Sequence, residues 1–156
     1  MSINWKTPWR AIGSLAFIFG QRGMINLDYE YVDYSAARLK GNSYDYYDEN
    51  QKISTIYRPV SNIRVGGELR LASHLAVRGG YGYYASPYDQ EINDGKRQVI
   101  AAGIGYRSNS FYIDFGYNHI QSTEDYYLYS SETIQAPPAE IETRQNNYVL
   151  TIGMKY

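Results

Sequence analysis

The side chains that could do catalytic or metal chemistry are few in this sequence. Its 156 residues include no cysteine and only two histidines, His74 and His119. A thiolate site is therefore impossible, and a histidine metal cluster is disfavoured. His119 falls near one end of an apolar strand face, where catalysis would need a nucleophile beside it. Simple strand pairing puts no serine there, so the sequence predicts no enzyme, with His74 in a turn and His119 at an interface.

Acidic residues gather in two segments that carry turn signals. Carboxylate oxygens are ligands that Ca²⁺ prefers, but the spacing matches no EF-hand loop. We expect solvated acidic loops without a cofactor or bound metal, and a Ca²⁺ site stays open as the alternative. The residues concerned are Asp45, Asp48, Glu49, Asp89, Glu91 and Asp94.

Composition narrows the class of protein. Lys and Arg number 15 against 16 Asp and Glu, a net charge of -1, which disfavours a nucleic-acid partner. Mean hydropathy is -0.52, and no apolar run approaches the roughly 18 residues of a membrane helix. The chain holds 19 Tyr and 14 Gly. A membrane β-barrel remains compatible with these numbers, because its strands alternate and its mean hydropathy stays low.

Alternation with a period of two runs along the chain. In residues 24–34, Ile25 and Leu27 alternate with Asn26 and Asp28, as in a strand with one apolar and one polar face. The same pattern predicts seven strands of an antiparallel transmembrane β-meander, each about 9–11 residues long. Their expected bounds are 10–19, 24–34, 62–71, 75–84, 99–107, 111–120 and 148–156.

The connections alternate between short and long. Short turns join the first and second strands, the third and fourth, and the fifth and sixth, whereas the long loops cover about 35–59, 85–97 and 121–147. This asymmetry is typical of outer-membrane barrels. A short helix is expected within residues 49–57. Matching apolar faces across the short turns predicts these opposite pairs: Phe19 with Ile25, Leu71 with Leu75, Glu68 with Arg78, and Tyr106 with Phe111.

Aromatic residues form two bands on the predicted apolar faces. Such bands are typical of the girdles at membrane interfaces, and the alternative is a soluble sheet with tyrosines in cross-strand pairs. We expect aliphatic residues between the bands, such as Leu27, Val65 and Ile113, to face lipid. The girdle residues are Phe17, Phe19, Tyr29, Tyr31, Tyr81, Tyr83, Tyr106, Phe111, Tyr117 and Tyr156.

Polar residues occupy the opposite faces and are predicted to line a lumen. They could border a substrate path, anchor a plug segment, or only form salt bridges that keep the wall folded. The salt-bridge interpretation is favoured for Glu68 with Arg78, and the others stay open. The set is Asn26, Asp28, Glu30, Arg64, Glu68, Arg70, Arg78, Asp114 and Asn118.

The last strand resembles the C-terminal signal that outer-membrane barrels present to the barrel-insertion machinery. Its alternate apolar positions lead to a terminal aromatic residue, and the alternative is simply a final amphipathic strand. The signal residues are Tyr148, Leu150, Ile152, Met154 and Tyr156.

Three segments together resemble the C-terminal half of FadL/TodX-type outer-membrane transport proteins. They are Gly23–Ser35, Asn62–Leu71 and Val77–Tyr88, and the closing NYVLTIGMKY is similar too. The resemblance implies a barrel of about fourteen strands with an N-terminal hatch in the lumen. It also implies passive uptake of long-chain fatty acids or aromatic hydrocarbons across the outer membrane of a Gram-negative bacterium.

Seven strands without a hatch or a leading signal peptide predict an open fragment of a larger barrel, a single β-barrel segment over residues 1–156. An intact barrel of this kind has an even number of strands, and seven alone leave two unpaired edges in lipid. The predicted function is part of a channel for hydrophobic small molecules. The alternative is a surface barrel whose long loops bind a partner.

Overall fold

The computed structural model describes residues 3–42, 44–89, 93–126 and 138–154. In this part of the chain a 3₁₀ turn spans Tyr34–Ala36 and one helix, α1, spans Tyr47–Ile56, close to the expected 49–57. No helix among these residues is long and apolar enough to cross a membrane. The strands are β1 Ile3–Lys6, β2 Arg10–Phe19, β3 Gly23–Asp33, β4 Arg38–Gly41, β5 Pro59–Ala72, β6 Leu75–Tyr84, β7 Arg97–Arg107, β8 Phe111–Tyr126 and β9 Ala139–Met154.

One antiparallel sheet of seven strands dominates the fold. Its order is β2-β3-β5-β6-β7-β8-β9, so each strand pairs with its neighbours in the chain. Within the described residues β2 and β9 do not pair, and the sheet stays open. The predicted all-β antiparallel meander is confirmed, and an open sheet is consistent with a segment of a larger barrel.

A second, two-stranded sheet lies outside the meander and was not predicted. It pairs β1 with β4 in antiparallel register, with Trp5 opposite Leu39. The Asn50 side chain of α1 accepts a hydrogen bond from the Leu39 amide at 2.7 Å and donates one to the Leu39 carbonyl at 2.9 Å. The sequence could not show this, because four-residue strands are too short for a period-two signal.

The register across the turn between β5 and β6 follows the prediction through most of the hairpin. Glu68 lies opposite Arg78, as expected. A register shift between Arg70 and Ala72 changes the last pair, so Ala72 and not Leu71 lies opposite Leu75. An irregularity of this kind adds one unpaired residue to a strand beside its turn.

The registers across the other two short turns differ from the prediction. Phe19 faces Gly23 instead of Ile25 because the turn begins one residue early, at Gly20, whose φ of 56° is accessible to glycine. The expected pair of Tyr106 with Phe111 is also wrong, since Tyr106 faces Ile113. Both differences are two residues, so every side chain keeps its face.

The last two strands extend far beyond their predicted bounds. β8 and β9 each contain 16 residues, or about 54 Å at the usual rise, whereas the apolar band of a membrane barrel is about 25 Å tall. The extensions, 121–126 and 139–147, are mostly polar on both faces and therefore show little alternation in the sequence. The loop expected over 121–147 shortens accordingly, and residues 127–137 lie outside the described part.

The long loops are tied to one another above the sheet. The Tyr57 and Tyr88 rings stack at 5.3 Å, and the Asp89 amide donates to the Ile56 carbonyl at 2.9 Å. Burial, together with the neighbouring Tyr57 and Glu124, raises the pKa of Tyr88. Farther along, the Asp125 amide donates to the Asn93 side chain at 2.9 Å. These contacts connect the loops after β3 and β6 with each other and with the end of β8.

The protein core is small. Among the described residues the buried apolar side chains are Val32, Ala37 and Val60, at the long-loop end of the sheet. Large apolar side chains elsewhere are exposed, including Leu150 at 63% and Ile152 at 64%. An apolar surface of this extent must be covered by lipid or by another protein.

Candidate functional site: the polar face of the sheet

Adjacent residues in each strand alternate between two faces of different chemistry. Leu27 lies opposite Val65, while its neighbour Asp28 lies opposite Arg64. The side that carries Asp28 is the polar face, and the side that carries Leu27 is the apolar face. Two carboxylates on the polar face are well covered, with the Glu30 side chain 7% exposed and the Asp28 side chain 26% exposed.

The nine residues predicted for a lumen all lie on the polar face, and the structure gathers seven of them into two groups. At the long-loop end Arg64 contacts Asp28 at 3.5 Å and Glu30 at 3.4 Å. Arg10 adds a 3.2 Å contact to Glu30, and Asn62 donates to Glu30 at 3.3 Å. Two arginines therefore balance two carboxylates in this loop-end cluster.

Arg10 and Asn62 are absent from the predicted lumen set. Arg10 is the first residue of β2 and precedes an apolar segment, and Asn62 is the first residue of the predicted strand 62–71. Alternation along the strands could have placed both residues on the polar face. Both lie at alternate positions that share a face with the charged residues of neighbouring strands. Asn62 also accepts a hydrogen bond from the Ala85 amide at 3.1 Å, which links the cluster to the loop after β6.

A second group, the turn-end cluster, lies nearer the short turns. Arg78 contacts Glu68 at 2.8 Å and Asp114 at 2.8 Å, and Arg70 lies 3.5 Å from Glu68. Two arginines again balance two carboxylates. The predicted salt bridge of Glu68 with Arg78 is present, and Asp114 joins it from two strands away.

Gly105 makes the longer of these connections possible. It lies on β7, between the strands that carry Arg78 and Asp114, and faces Asp114 directly. A Cβ at this position would overlap the Asp114 carboxylate and lie 3.1 Å from Arg78 Nη1. The missing side chain therefore provides the space in which the ion pair crosses β7.

The middle of the polar face is bare of large side chains. Gly66, Gly80 and Ala101 lie opposite one another in a row across β5, β6 and β7, and Gly103 and Gly116 pair in the next row. A depression of about 410 Å³ lies over this floor at Gly80, Ala101, Gly103 and Gly116, bordered by Arg78, Asp114 and Val149 among others. Along the strands, the row of Gly66, Gly80 and Ala101 lies between the two charged clusters.

The opposite side of the same patch is bare as well. Gly67 faces Gly79, and Gly79 faces Ala102, in the row next to Gly66, Gly80 and Ala101. At these six positions of β5, β6 and β7 the sheet therefore carries no side chain larger than a methyl group on either face.

The two remaining predicted residues stand apart from the clusters. Asn118 accepts a hydrogen bond from Asn147 at 2.8 Å. The Asn26 amide lies over Gly66, where its Oδ1 atom would be 2.7 Å from an added Cβ. Neither residue contacts a charged group in the described part of the chain.

An amphipathic antiparallel sheet with these two faces agrees with the family model that matches the sequence. That model is described as outer membrane protein transport protein (OMPP1/FadL/TodX) and matches residues 2–156. The chain belongs to this family. Its members are outer-membrane proteins of Gram-negative bacteria and are transport proteins, which fixes the location and the general role of the chain. Searches of the curated proteins and of the solved structures found no match.

The apolar face of this FadL/TodX-family chain carries nine of the ten predicted girdle residues, and the tenth, Tyr156, lies outside the described residues. Tyr106 and Phe111 contact at 5.8 Å between ring centroids. Trp9, which was not predicted, packs on Tyr31 at 5.2 Å. The other signal residues also lie on the apolar face: Tyr148, Leu150, Ile152 and Met154.

The histidines have structural partners. His119 lies on the apolar face, and its Nδ1 atom is 2.8 Å from the Asn146 side-chain oxygen. His74 lies in the turn after β5, with Nδ1 2.9 Å from the Arg107 carbonyl oxygen. No described residue places a nucleophile in contact with either ring.

The acidic loop residues do not converge. In the described part of the chain no group of three potential ligands could hold a metal ion, and Glu91 lies outside that part. Asp94 instead pairs with Lys96 at 2.6 Å, which raises the pKa of Lys96. Glu49 accepts a hydrogen bond from the Tyr44 hydroxyl at 3.1 Å.

Proposed function

We propose that this chain forms part of the wall of an outer-membrane channel for passive uptake of hydrophobic small molecules, such as long-chain fatty acids or aromatic hydrocarbons. In this proposal the polar face lines the lumen and the apolar face contacts outer-membrane lipid. The observation that carries it is the arrangement of the polar face, where a flat apolar floor lies between two charge-balanced clusters.

Charge balance suits the passage of uncharged apolar groups. Each cluster pairs two arginines with two carboxylates, so neither leaves an uncompensated charge that would concentrate ions. Between them, Gly80 and Ala101 offer an apolar molecule backbone and methyl surface.

The apolar face supports the same orientation. In β3 and β5 its exposed side chains alternate with the polar set, as they do in strands between lipid and a lumen. The girdle rings Tyr106 and Phe111 lie near the short turns, and the girdle ring Tyr29 lies near the long loops together with Trp9. Aromatic rings at these two levels are suited to the two membrane interfaces.

Uptake by intact cells tests the proposal. Deleting the gene should slow uptake of radiolabelled compounds from a panel of long-chain fatty acids and aromatic hydrocarbons, and expression of the unaltered protein should restore it. Because the barrel itself supplies no energy, the initial rate should survive collapse of the proton gradient. Unchanged uptake of every compound in the deletion strain would reject the transport role.

We further propose that the last strand is recognised by the barrel-insertion machinery through its alternate apolar residues and Tyr156. Deleting Tyr156 should lower the amount of protein in the outer membrane more than it lowers refolding of the purified chain, because an aromatic cross-strand pair contributes only about 0.2–1 kcal/mol. Immunoblots of outer membranes measure the first quantity, and refolding into detergent measures the second. Equal losses would make Tyr156 an ordinary structural residue.

A further inference from the structure

An apolar groove crosses the outer, apolar face of the sheet near the turn between β2 and β3. It has a volume of about 580 Å³, within the roughly 300–1,000 Å³ of small-molecule sites. The large side chains that line it are Phe19, Ile25, Leu69 and Val77, and all four lie on the apolar face. This lipid-side groove is therefore separate from the depressions of the polar face.

Three glycines form the floor of the lipid-side groove. Gly23 lies between Phe19 and Leu69 in the row beside the turn. Gly67 faces Gly79 in the next row toward the middle of the sheet. The bare strip therefore runs obliquely across β3, β5 and β6, with larger side chains standing on both sides of it.

Large side chains end the strip toward the long loops. Leu27, Val65 and Tyr81 occupy the following row on the same face. The strip is therefore confined to the half of the sheet nearer the short turns, which corresponds to one leaflet of a membrane.

One cation lies at the turn end of the groove. Arg22 is part of the lining and is exposed. Its amide donates to the Phe19 carbonyl at 3.1 Å, and its carbonyl accepts from the Arg70 amide at 2.7 Å, so the turn is held against β5. None of the ion pairs among the described residues includes Arg22. A guanidinium without a carboxylate partner is suited to bind a phosphate.

The family gives the groove its level in the membrane. The short turns of outer-membrane barrels face the periplasm, so Arg22 lies beside the inner leaflet, just beyond the girdle ring Phe19. Lipid head groups occupy this level, and the glycine floor leads from there into the hydrocarbon layer. A molecule with a phosphate at one end and long acyl chains at the other matches both parts of the groove.

We propose that the lipid-side groove binds one phospholipid of the inner leaflet, with its phosphate held by Arg22 and an acyl chain lying over Gly67 and Gly79. The lipid stays outside the barrel and is a structural partner of the wall, distinct from any transported molecule. The site rests on the proposed function in one respect, since it requires the apolar face to contact lipid.

The test titrates the purified natural protein, in dodecyl maltoside micelles, with two lipids that have the same chains, dipalmitoyl phosphatidylglycerol and dipalmitoylglycerol. Native mass spectrometry counts the bound lipids. Arg22→Gln should weaken binding of the first phosphatidylglycerol about tenfold, the usual size of one lost charge-assisted contact, and leave dipalmitoylglycerol unchanged. Arg22→Lys should keep part of the affinity. Inorganic phosphate should not displace the lipid, because it has no chain to fill the groove, and displacement would reduce the site to an anion site and overturn the proposal.

Three further variants complete the design. Gly79→Leu should weaken binding of both lipids because it fills the groove, and a Cβ there meets only the Ala101 carbonyl oxygen, at 4.0 Å. Gly116→Leu makes the same change on the polar face, where a Cβ has no atom within 4 Å. Arg107→Gln removes a cation of the polar face at the same end of the sheet. Neither control should change lipid binding.

Two results would overturn the site. One is an equal loss of both lipids in Arg22→Gln, and the other is an equal effect of Gly79→Leu and Gly116→Leu. Because Arg22 is exposed in a turn, its variants retain the fold and the test does not depend on Gly79→Leu alone. Uptake of the compound panel by cells tests the transport role separately, since the groove lies outside the proposed lumen.

Discussion

Replacing Ile104 with arginine is expected to destabilise the folded protein by about 2–4 kcal/mol, the cost of an arginine on the lipid face of a barrel near the membrane midplane. Ile104 lies within β7 on the apolar face, between Val77 and Phe115 of the neighbouring strands, and is 45% exposed. In lipid, neither water nor an acidic side chain is present to stabilise the charge of the new arginine. Urea unfolding of the protein in lipid vesicles measures the change in free energy.

The matched control is Val149→Arg. Val149 is 57% exposed but lies on the polar face, opposite Gly116. If that face lines an aqueous lumen, the same new charge is solvated there and should cost less than about 1 kcal/mol. Equal costs at the two positions would mean that both faces meet the same medium, which would reject the proposed orientation.

Replacing Arg78 with methionine should produce the second large effect. The variant leaves Glu68 and Asp114 without the guanidinium that contacts both at 2.8 Å. Removing one partner of a fully buried pair costs about 3–5 kcal/mol, but Arg78 is 37% exposed, so solvent screening reduces the expected loss to about 1–2 kcal/mol. The urea midpoint should fall correspondingly.

Two comparisons separate charge from packing. The triple variant Glu68→Gln, Arg78→Met and Asp114→Asn should recover most of the stability, because it removes the repulsion along with the cation. High salt should narrow the difference between Arg78→Met and the natural protein, because added ions screen partly exposed charges. At high salt the two carboxylates repel each other less in the variant and attract Arg78 less in the natural protein. A difference that stays constant with salt concentration would assign the loss to packing.

The sequence predicted the faces of the sheet more accurately than its extent. Alternation assigned Leu27 and Asp28 to opposite faces, and a short turn placed Glu68 against Arg78. The contact between Arg78 and Asp114 could not be predicted in this way. It crosses β7 through the space left by Gly105, so it depends on three strands together rather than on one pair.

The limits of β8 and β9 were missed for a different reason. In the added segments polar residues such as Ser122, Glu124 and Thr143 occupy both faces of the strand. The contrast between an apolar and a polar face, which predicts a strand, is therefore weak there. Their pairing follows from continuation of the ladder, where each added residue extends strands that are already aligned. Local sequence contains no information about a partner some twenty residues away.

The pattern of glycines affects the mechanics of the wall. Cross-strand side chains normally resist the folding of neighbouring strands toward each other, and glycine is where designed sheets are made to bend. Gly66, Gly67, Gly79, Gly80, Ala101 and Ala102 remove that resistance on both sides of β5, β6 and β7. We therefore expect the closed barrel to be oval in cross-section, with its sharpest bend along these three strands and flatter walls on either side.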